Sequence, residues 1–426
     1  MAKNRKIFKG FYFYFHEIYH RKNIMPNTVS LKQNSLFPII DIGTTKIVCL
    51  VGEAYPSGGI TVLGIGKSWE RGLKAGEVTD SDEAARSVAA ALRELEGKLE
   101  FPIHSALIGI TGPNIHSFLK KIWIALGGES RSVNDGDIKK LQETINRIGI
   151  PAHETAVQAL CRGYLLDDSK NIPNPVGMVG KRLGMETSLI TLPSVSMANL
   201  KLVLEKSALE IELCSFASQI LALSEFMLLE IEKGEGAAVL DLGGEICQAA
   251  FYAKGRFQEL QTLPWGGNHL SQKLAQFYKL TFPEAEDIKR KFPADPDKIE
   301  KEESVSLSSQ NTTNFEIASL MKEEVLKISE WMMPLFKQYS PKTLVLTGGG
   351  CQLKELPEIL GRELQVGVRI GKLPEMELPQ EMELSPRFHS ALAMLLYAAK
   401  SQERKIKNPG KTLFHRFKKW LEEAFL

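Results

Sequence analysis

Five cysteines, Cys49, Cys161, Cys214, Cys247 and Cys351, are odd in number and too scattered for a disulfide framework or a metal-ligand spacing. Set mostly in apolar runs, they read as reduced core residues of a cytosolic protein. The eight histidines are equally dispersed, so no metal site built from side chains alone is expected. An excess of either charge is lacking as well. The 53 basic and 51 acidic residues leave a formal net charge of +2, which gives no reason to expect nucleic acid as a partner. Nor does any apolar run reach the roughly 18 residues that a membrane-crossing helix needs.

What remains is the composition of an ordinary soluble globular protein in a chain of 426 residues, too long for one compact core and expected to divide into at least two domains. In residues 1–24, Lys3, Arg5, Lys6 and Lys9 precede an aromatic run from Phe11 to Phe15. That run is too short and too tyrosine-rich for a signal peptide, and no small-residue cleavage site follows. The segment reads as an overextended start or a disordered tail, with a basic-aromatic membrane contact as the alternative.

The most informative stretch is Phe37 to Val51. Ile39 and Ile40 are buried β formers, Gly43 frees the backbone to turn, and Ile47 to Val51 runs back as a second strand. Such a turn can cradle an anion. Gly43 leaves room, the amides around Thr44 and Thr45 can point at phosphate oxygens, Lys46 adds a cation, and Asp41 can hold a hydrated metal ion. The pattern of apolar strand, Asp, apolar residue, Gly, turn and apolar strand recurs at Ala237 to Tyr252, with Asp241, Gly243 and Gly244 in the corresponding places. Repetition implies two related halves. A third element follows, the apolar strand from Lys342 into Gly348, Gly349 and Gly350, where backbone can approach a flat ring or a ribose closely.

Two phosphate hairpins and a later glycine turn, in this order, resemble the actin-like ATPase superfamily. Within it, Asn174 to Gly180, Val368 to Gly371 with Pro374, the helix from Ser390 to Tyr397 and the amphipathic end of the chain resemble FtsA, the bacterial cell-division family. The resemblance covers roughly Phe37 to the end. It implies an α/β, actin-like (ribonuclease H-like) duplicated fold with a nucleotide cleft between two domains, an FtsA-type subdomain 1C and a C-terminal amphipathic helix. The boundaries expected are residues 37–103 and 181–233 for subdomain 1A, 104–180 for 1C, 234–267 and 341–400 for 2A, and 268–340 for 2B. Residues 1–36 precede the fold, 401–410 form a linker and 411–426 the terminal helix.

The nucleotide site implied is Asp41, Gly43, Thr44, Thr45, Lys46, Asp241, Gly243, Gly244, Gly348, Gly349 and Gly350. Glu286 and Lys289 match the family's Glu-x-x-Lys pair near the adenosine, although a solvated ion pair explains them equally well on local grounds. ATP and Mg2+ are the cofactors implied, the metal being held through water by Asp41 and Asp241. The partners implied are a tubulin-like FtsZ filament, other division proteins, further copies of the chain and anionic lipid, on the cytoplasmic membrane face at the division site.

The terminal stretch supports the lipid reading independently. Leu413, Phe414, Phe417, Trp420, Leu421, Ala424 and Phe425 form one apolar helical face, flanked by Lys411, Arg416, Lys418 and Lys419. Glu422 and Glu423 dilute the charge, yet basic residues near an anionic surface each add about 1 kcal/mol. A helix of this kind lies in the interface without spanning it.

Elsewhere the chain departs from the family. Where FtsA has Asp-x-Gly-Gly-Gly-Thr-x-Asp, this chain runs from Asp241 through Glu245, Ile246 and Cys247 to Gln248. Glu245 is expected to bring a carboxylate toward phosphate, Ile246 removes a hydroxyl, and Gln248 removes a carboxylate that could orient water. The family's Pro-Gln-Glu-Tyr is here Cys161 to Tyr164, so a second carboxylate is missing at Gly163. ATP hydrolysis is expected to be weak or absent, and nucleotide binding retained. Two other readings stay open: a PilM-like pilus-assembly scaffold, and a soluble actin-fold phosphotransferase or phosphohydrolase.

The coarse pass along the chain places strands at Gly59 to Gly66 and Ser105 to Thr111, and helices at Asp80 to Leu99, Asp135 to Ile148, Met197 to Ser207, Ser215 to Glu232, Leu270 to Tyr278 and Asn314 to Tyr339. Met185 to Leu192 is expected to rejoin the main sheet, and Pro293 to Thr313 to be a mobile loop.

Overall fold

The computed structural model describes residues 35–55, 59–145, 150–307 and 310–407. The amphipathic terminal face and the basic-aromatic N-terminal segment lie outside these residues.

Two five-stranded sheets repeat one topology. In the first, Ser35–Ile42, Lys46–Ala54 and Ile60–Trp69 form an antiparallel meander, and Leu107–Ile110 and Ser215–Ser218 add in parallel on the other side. In the second, Ala237–Leu242, Cys247–Ala253 and Arg256–Leu263 form the meander, and Thr343–Thr347 and Gly367–Ile370 the parallel pair. The register repeats too, since Asp41 stands opposite Val48 and Asp241 opposite Gln248. Each turn is closed by the same bond: Gly43 N donates to Lys46 O at 3.1 Å and Gly243 N to Ile246 O at 2.9 Å.

Burial on both faces explains the near-continuous apolar strands. Helix Ser81–Leu99, capped by the Asp80 carboxylate on the amides of Asp82 and Glu83, lays Ala84, Val88, Ala91 and Leu95 on the first sheet. Helix Asn314–Tyr339 covers the second through Met321, Val325, Ile328 and Met332. Helix His389–Lys407 returns to the first sheet, its Leu395 side chain filling the space a Cβ on Gly52 would need. One core cluster runs from Ile39 and Val48 through Ala391 to Leu396 to Val239 and Val345, so the halves share packed apolar contacts.

Three expectations are corrected. Met185 to Leu192 does not rejoin the main sheet. It belongs to strand Arg182–Pro193 of a separate four-stranded sheet, between Glu154–Leu166 and His116–Ala125. Its apolar residues mark a buried strand but cannot say which sheet owns it. Leu183, Met185 and Leu189 pack in the inserted sheet's own core, Ile190 and Leu192 in the main one. Ser215 to Glu232 is not one helix: Ser215–Ser218 is a strand, Gln219–Met227 a helix, and the chain breaks at Leu228 before the short helix Glu230–Glu235. Pro293 to Thr313 is not simply a loop. It contains a turn at Pro296–Lys298 and a hairpin of Ser304–Ser306 with Asn311–Thr313, anchored where the Thr312 hydroxyl donates to Glu316 at 2.6 Å.

The inserted sheet touches the second half as well as the first. Leu260 N donates to Ser117 Oγ at 3.2 Å, and Arg162 hydrogen-bonds Gln258.

Candidate functional site

The repeated hairpins face each other at the mouth of a cleft of about 790 Å3 between the two sheets. Strand Ser35–Ile42 delivers Asp41 to it, the turn delivers Gly43, Thr44, Thr45 and Lys46, and the second hairpin delivers Asp241, Gly243 and Gly244. Strand Thr343–Thr347 ends at Gly348, Gly349 and Gly350 on the same wall, and helix Phe282–Lys291 contributes Glu286 and Lys289. All thirteen residues singled out from the sequence therefore line one cavity. The sites assigned to Leu413, Phe414, Arg416, Phe417, Lys418, Lys419, Trp420, Leu421 and Phe425 lie outside the described residues.

The polar groups at the cleft floor are poised for a cation. Burial pushes the Asp41 carboxyl up to about 6, against the pull of Lys46 and of Gln219, whose Nε2 donates to Asp41 Oδ1 at 2.5 Å. Burial, with the Asp41 charge adding to it, pushes Asp241 up to about 7. Two buried carboxylates, the second raised further by the charge of the first, suit a divalent cation, which would relieve both costs. Among the described residues no group of three or more His, Cys, Asp or Glu side chains is placed to hold a metal. The donor set thus fits an ion that keeps most of its water.

The Lys46 ammonium is 4.0 Å from the centre of the Phe388 ring. Burial lowers its pKa to about 8, with Asp41 opposing and Arg387 and Lys67 reinforcing. On the far wall Lys289 pairs with Glu286 and donates to Gly267 O at 3.0 Å, so the ion pair and the cleft position hold together.

Two sequence inferences about the departures are overturned. Glu245 does not point its carboxylate at the phosphate position. Its Oε2 accepts from the Ala75 amide at 2.6 Å, in the other half of the molecule, and the residue is not part of the cavity wall. Gly163 lies on the inserted sheet beside the Arg256 guanidinium, so its missing carboxylate says nothing about the cleft. Gln248 does line the cleft. Its amide nitrogen donates to Thr262 at 3.2 Å and its buried Oε1 has no partner among the described residues.

Sequence reading missed Gln219, Arg387, Phe388 and Trp265, all of which line the cleft. No motif surrounds Gln219, Arg387 or Phe388, whereas Trp265 directly precedes the glycine pair Gly266 and Gly267. For the first three, the one local signal was a glutamine opening the mostly apolar helix Gln219–Met227.

A pH dependence follows from these shifts. An acid whose folded pKa is raised holds its proton more tightly in the folded state, so its contribution favours folding at low pH and is lost as pH rises through the folded value. For Asp41 and Asp241 that loss is complete only above about 7. His389, whose buried ring bonds Thr347 and whose pKa is lowered to about 4, acts oppositely and removes stability only below its unfolded value near 6.5. The chemical-denaturation midpoint of the unliganded protein should therefore fall between pH 6.5 and 7.5, below the range where Lys46, a base lowered to about 8, acts in the opposite direction. Asp241→Asn should flatten that slope, leaving the part due to Glu70, which burial raises to about 7. An unchanged slope in the variant would refute the assignment.

The fold defined by this geometry is that of actin-like proteins, two related lobes around a cleft. Solved structures agree: the PilM–PilN type IV pilus biogenesis complex (TM-score 0.58, 16% identity, 86% of this chain and 98% of that one) and MreB5 of Spiroplasma citri bound to ADP (0.53, 13%, 88% and 98%). Sequence comparison narrows the class. A family model for Cell division protein FtsA matches residues 238–393, and one for the SHS2 domain inserted in FtsA matches residues 112–191. The FtsA of Neisseria meningitidis serogroup B is 27% identical, covering 92% of this chain and all of its own length; that of Escherichia coli K12 is 26% identical over 91% and 97%. The chain belongs to the FtsA family of bacterial cell division proteins.

Proposed function

We propose that this division protein binds ATP with Mg2+ in the cleft, self-associates through its subdomains, and lies on the cytoplasmic membrane face through the amphipathic residues 411–426. There it tethers a tubulin-like FtsZ filament and receives later division proteins. The observation that carries the nucleotide reading is the convergence of both hairpins, the triple glycine and the Glu286–Lys289 pair on one cavity. Asp41, Gly43, Thr44, Thr45, Lys46, Asp241, Gly243 and Gly244 would hold the phosphates and the hydrated metal. Glu286, Lys289, Gly348, Gly349 and Gly350 would hold the adenosine. When bound, Mg2+ supplies charge neutralisation for the phosphates. In subdomain terms, the inserted sheet is 1C, the sheets of the two halves are 1A and 2A, and residues 268–340 form 2B.

Hydrolysis is expected to be weak. Gln248 offers a neutral amide in place of a carboxylate, and Ile246 no hydroxyl. A slow reaction is compatible with the role, because nucleotide occupancy alone can bias cleft closure and the contacts between copies.

No described helix is long and apolar enough to cross a membrane. The test is co-sedimentation with anionic and neutral vesicles, using the full chain and a version ending at Lys407, which leaves helix His389–Lys407 whole. The full chain should pellet, preferentially with anionic lipid, and the shortened one should stay in solution. Equal behaviour of the two would remove residues 411–426 from the membrane role and reopen the soluble-enzyme reading.

A further inference from the structure

The departures at Glu245 and Ile246 bring the second hairpin into direct contact with the other half of the molecule. Ala75 N donates to Glu245 Oε2 at 2.6 Å. Glu245 N in turn donates to Thr44 Oγ1 at 3.2 Å, so this one residue grips the first half through both its backbone and its side chain. Beside it Ile246 is buried, and its Cδ1 stands 2.6 Å from where a Cβ on Gly76 would be. A Cβ on Gly244 would lie 2.2 Å from Thr45 Cγ2, which brings the two hairpin tips into van der Waals contact.

The receiving loop is built for this contact. Gly72, Ala75 and Gly76 all have positive φ, at 92°, 49° and 82°. For Ala75 that conformation is uncommon and needs support from its surroundings. The Glu245 carboxylate supplies it by capturing the Ala75 amide. Next in the loop, Glu77 Oε1 accepts from Asn114 Nδ2 at 2.7 Å and lies 3.5 Å from Ser196 Oγ. Asn114 leads into the inserted sheet and Ser196 follows its exit, at the start of helix Ser194–Lys206. The loop therefore touches the second hairpin on one side and both ends of the insertion on the other.

We propose that Glu245 and Ile246 form a clasp that holds the two hairpins together across the cleft by protein contacts alone, and that loop residues 72–78 carry this closure to the hinge of the inserted sheet. The regulatory meaning rests on the reading of the cleft as a nucleotide site: the clasp contacts use protein atoms alone, so occupancy is then not needed to hold the hairpins together. The carboxylate contact across the halves is charge-assisted, and the buried Ile246 packs on Gly76 next to it in the loop.

Hydrogen exchange read by mass spectrometry on the full chain tests this, with wild type, Glu245→Ala and Glu245→Gln, each with and without ATP and Mg2+. Without nucleotide, the wild-type peptide covering residues 72–78 should be protected. Glu245→Ala should speed its exchange about tenfold, the order expected for losing a charge-assisted bond at a locally opening segment. Peptides covering 114–119 should speed up with it, while the buried helix peptide at 88–95 should not change and so reports an intact fold. Glu245→Gln keeps an acceptor oxygen and should retain most of the protection. ATP should change the 72–78 peptide little in wild type and restore it in Glu245→Ala. If loop exchange without nucleotide is the same in wild type and Glu245→Ala, the clasp is refuted. If the loop responds and residues 114–119 do not, the link to the insertion is refuted. If ATP changes no peptide in any variant while the difference without nucleotide persists, the nucleotide reading fails and the clasp stands.

Discussion

Gly348→Ala is expected to lower stability by at least about 3 kcal/mol and to abolish nucleotide binding, while Gly349→Ala, one residue on, leaves the fold intact. Gly348 has φ 80° and ψ 165°, a region essentially closed to residues with a Cβ. A Cβ there would also lie 2.3 Å from Asp241 Oδ1 and 2.5 Å from the Leu242 carbonyl oxygen, and the latter belongs to the central strand Ala237–Leu242, which has no room to retreat. Gly349 has ordinary φ, and its nearest neighbour would be Arg387 Cγ at 3.7 Å. Its methyl would instead project where a ligand's ring or ribose approaches the backbone. Gly349→Ala should therefore denature within about 0.5 kcal/mol of wild type and bind nucleotide roughly tenfold more weakly. Chemical denaturation and a nucleotide titration on both variants separate strain from contact.

Lys46→Ala should weaken ATP binding roughly thirtyfold or more, the cost of removing one member of a partly desolvated charge pair. Lys46 is held by strand Lys46–Ala54 at the cleft mouth, with Asp41 behind it and the Phe388 ring beneath its ammonium. Because burial lowers its pKa to about 8, the amine must take up a proton to bind phosphate at higher pH. Wild-type affinity should thus decline above pH 8, and the decline should be missing in Lys46→Ala. An equal decline in both would assign it to another group.

The elements most legible in the sequence were those whose chemistry is local. A strand that must turn tightly around an anion requires Asp, Gly and small polar residues at fixed offsets, and these occur twice; Asp41 and Asp241 accordingly occupy equivalent register positions. Helix Asn314–Tyr339 was legible to the residue because Thr313 and Glu316 cap its start. Tertiary choices were not legible. Nothing in Met185 to Leu192 distinguishes a strand of the inserted sheet from one of the main sheet, because both bury apolar side chains. Gln219 and Phe388 reach the cleft only because distant segments fold beside Asp41 and Lys46. Glu245 was misjudged for the same reason: its position beside phosphate-binding glycines predicts repulsion, and only the fold reveals the Ala75 amide that captures it.

The departures at Glu245, Ile246 and Gln248 bear differently on binding and on turnover. Glu245 is turned out of the cavity, so it does not oppose an anionic ligand there. Gln248 faces the cavity without a carboxylate, which affects the orientation of water more than the grip on a phosphate. A family member altered in this way is expected to keep the nucleotide as a structural ligand.

The central claim is that the cleft binds a magnesium nucleotide despite its altered second hairpin. The measurement that tests it most directly is an equilibrium titration of fluorescent ATP against the full chain in the presence of magnesium, with Lys46→Ala and Gly349→Ala in parallel and circular dichroism to establish that each is folded. Saturable binding that unlabelled ATP competes away, and that both variants weaken, is the predicted result. Absence of saturable binding by the folded wild type, or equal binding by folded Lys46→Ala, would contradict the account.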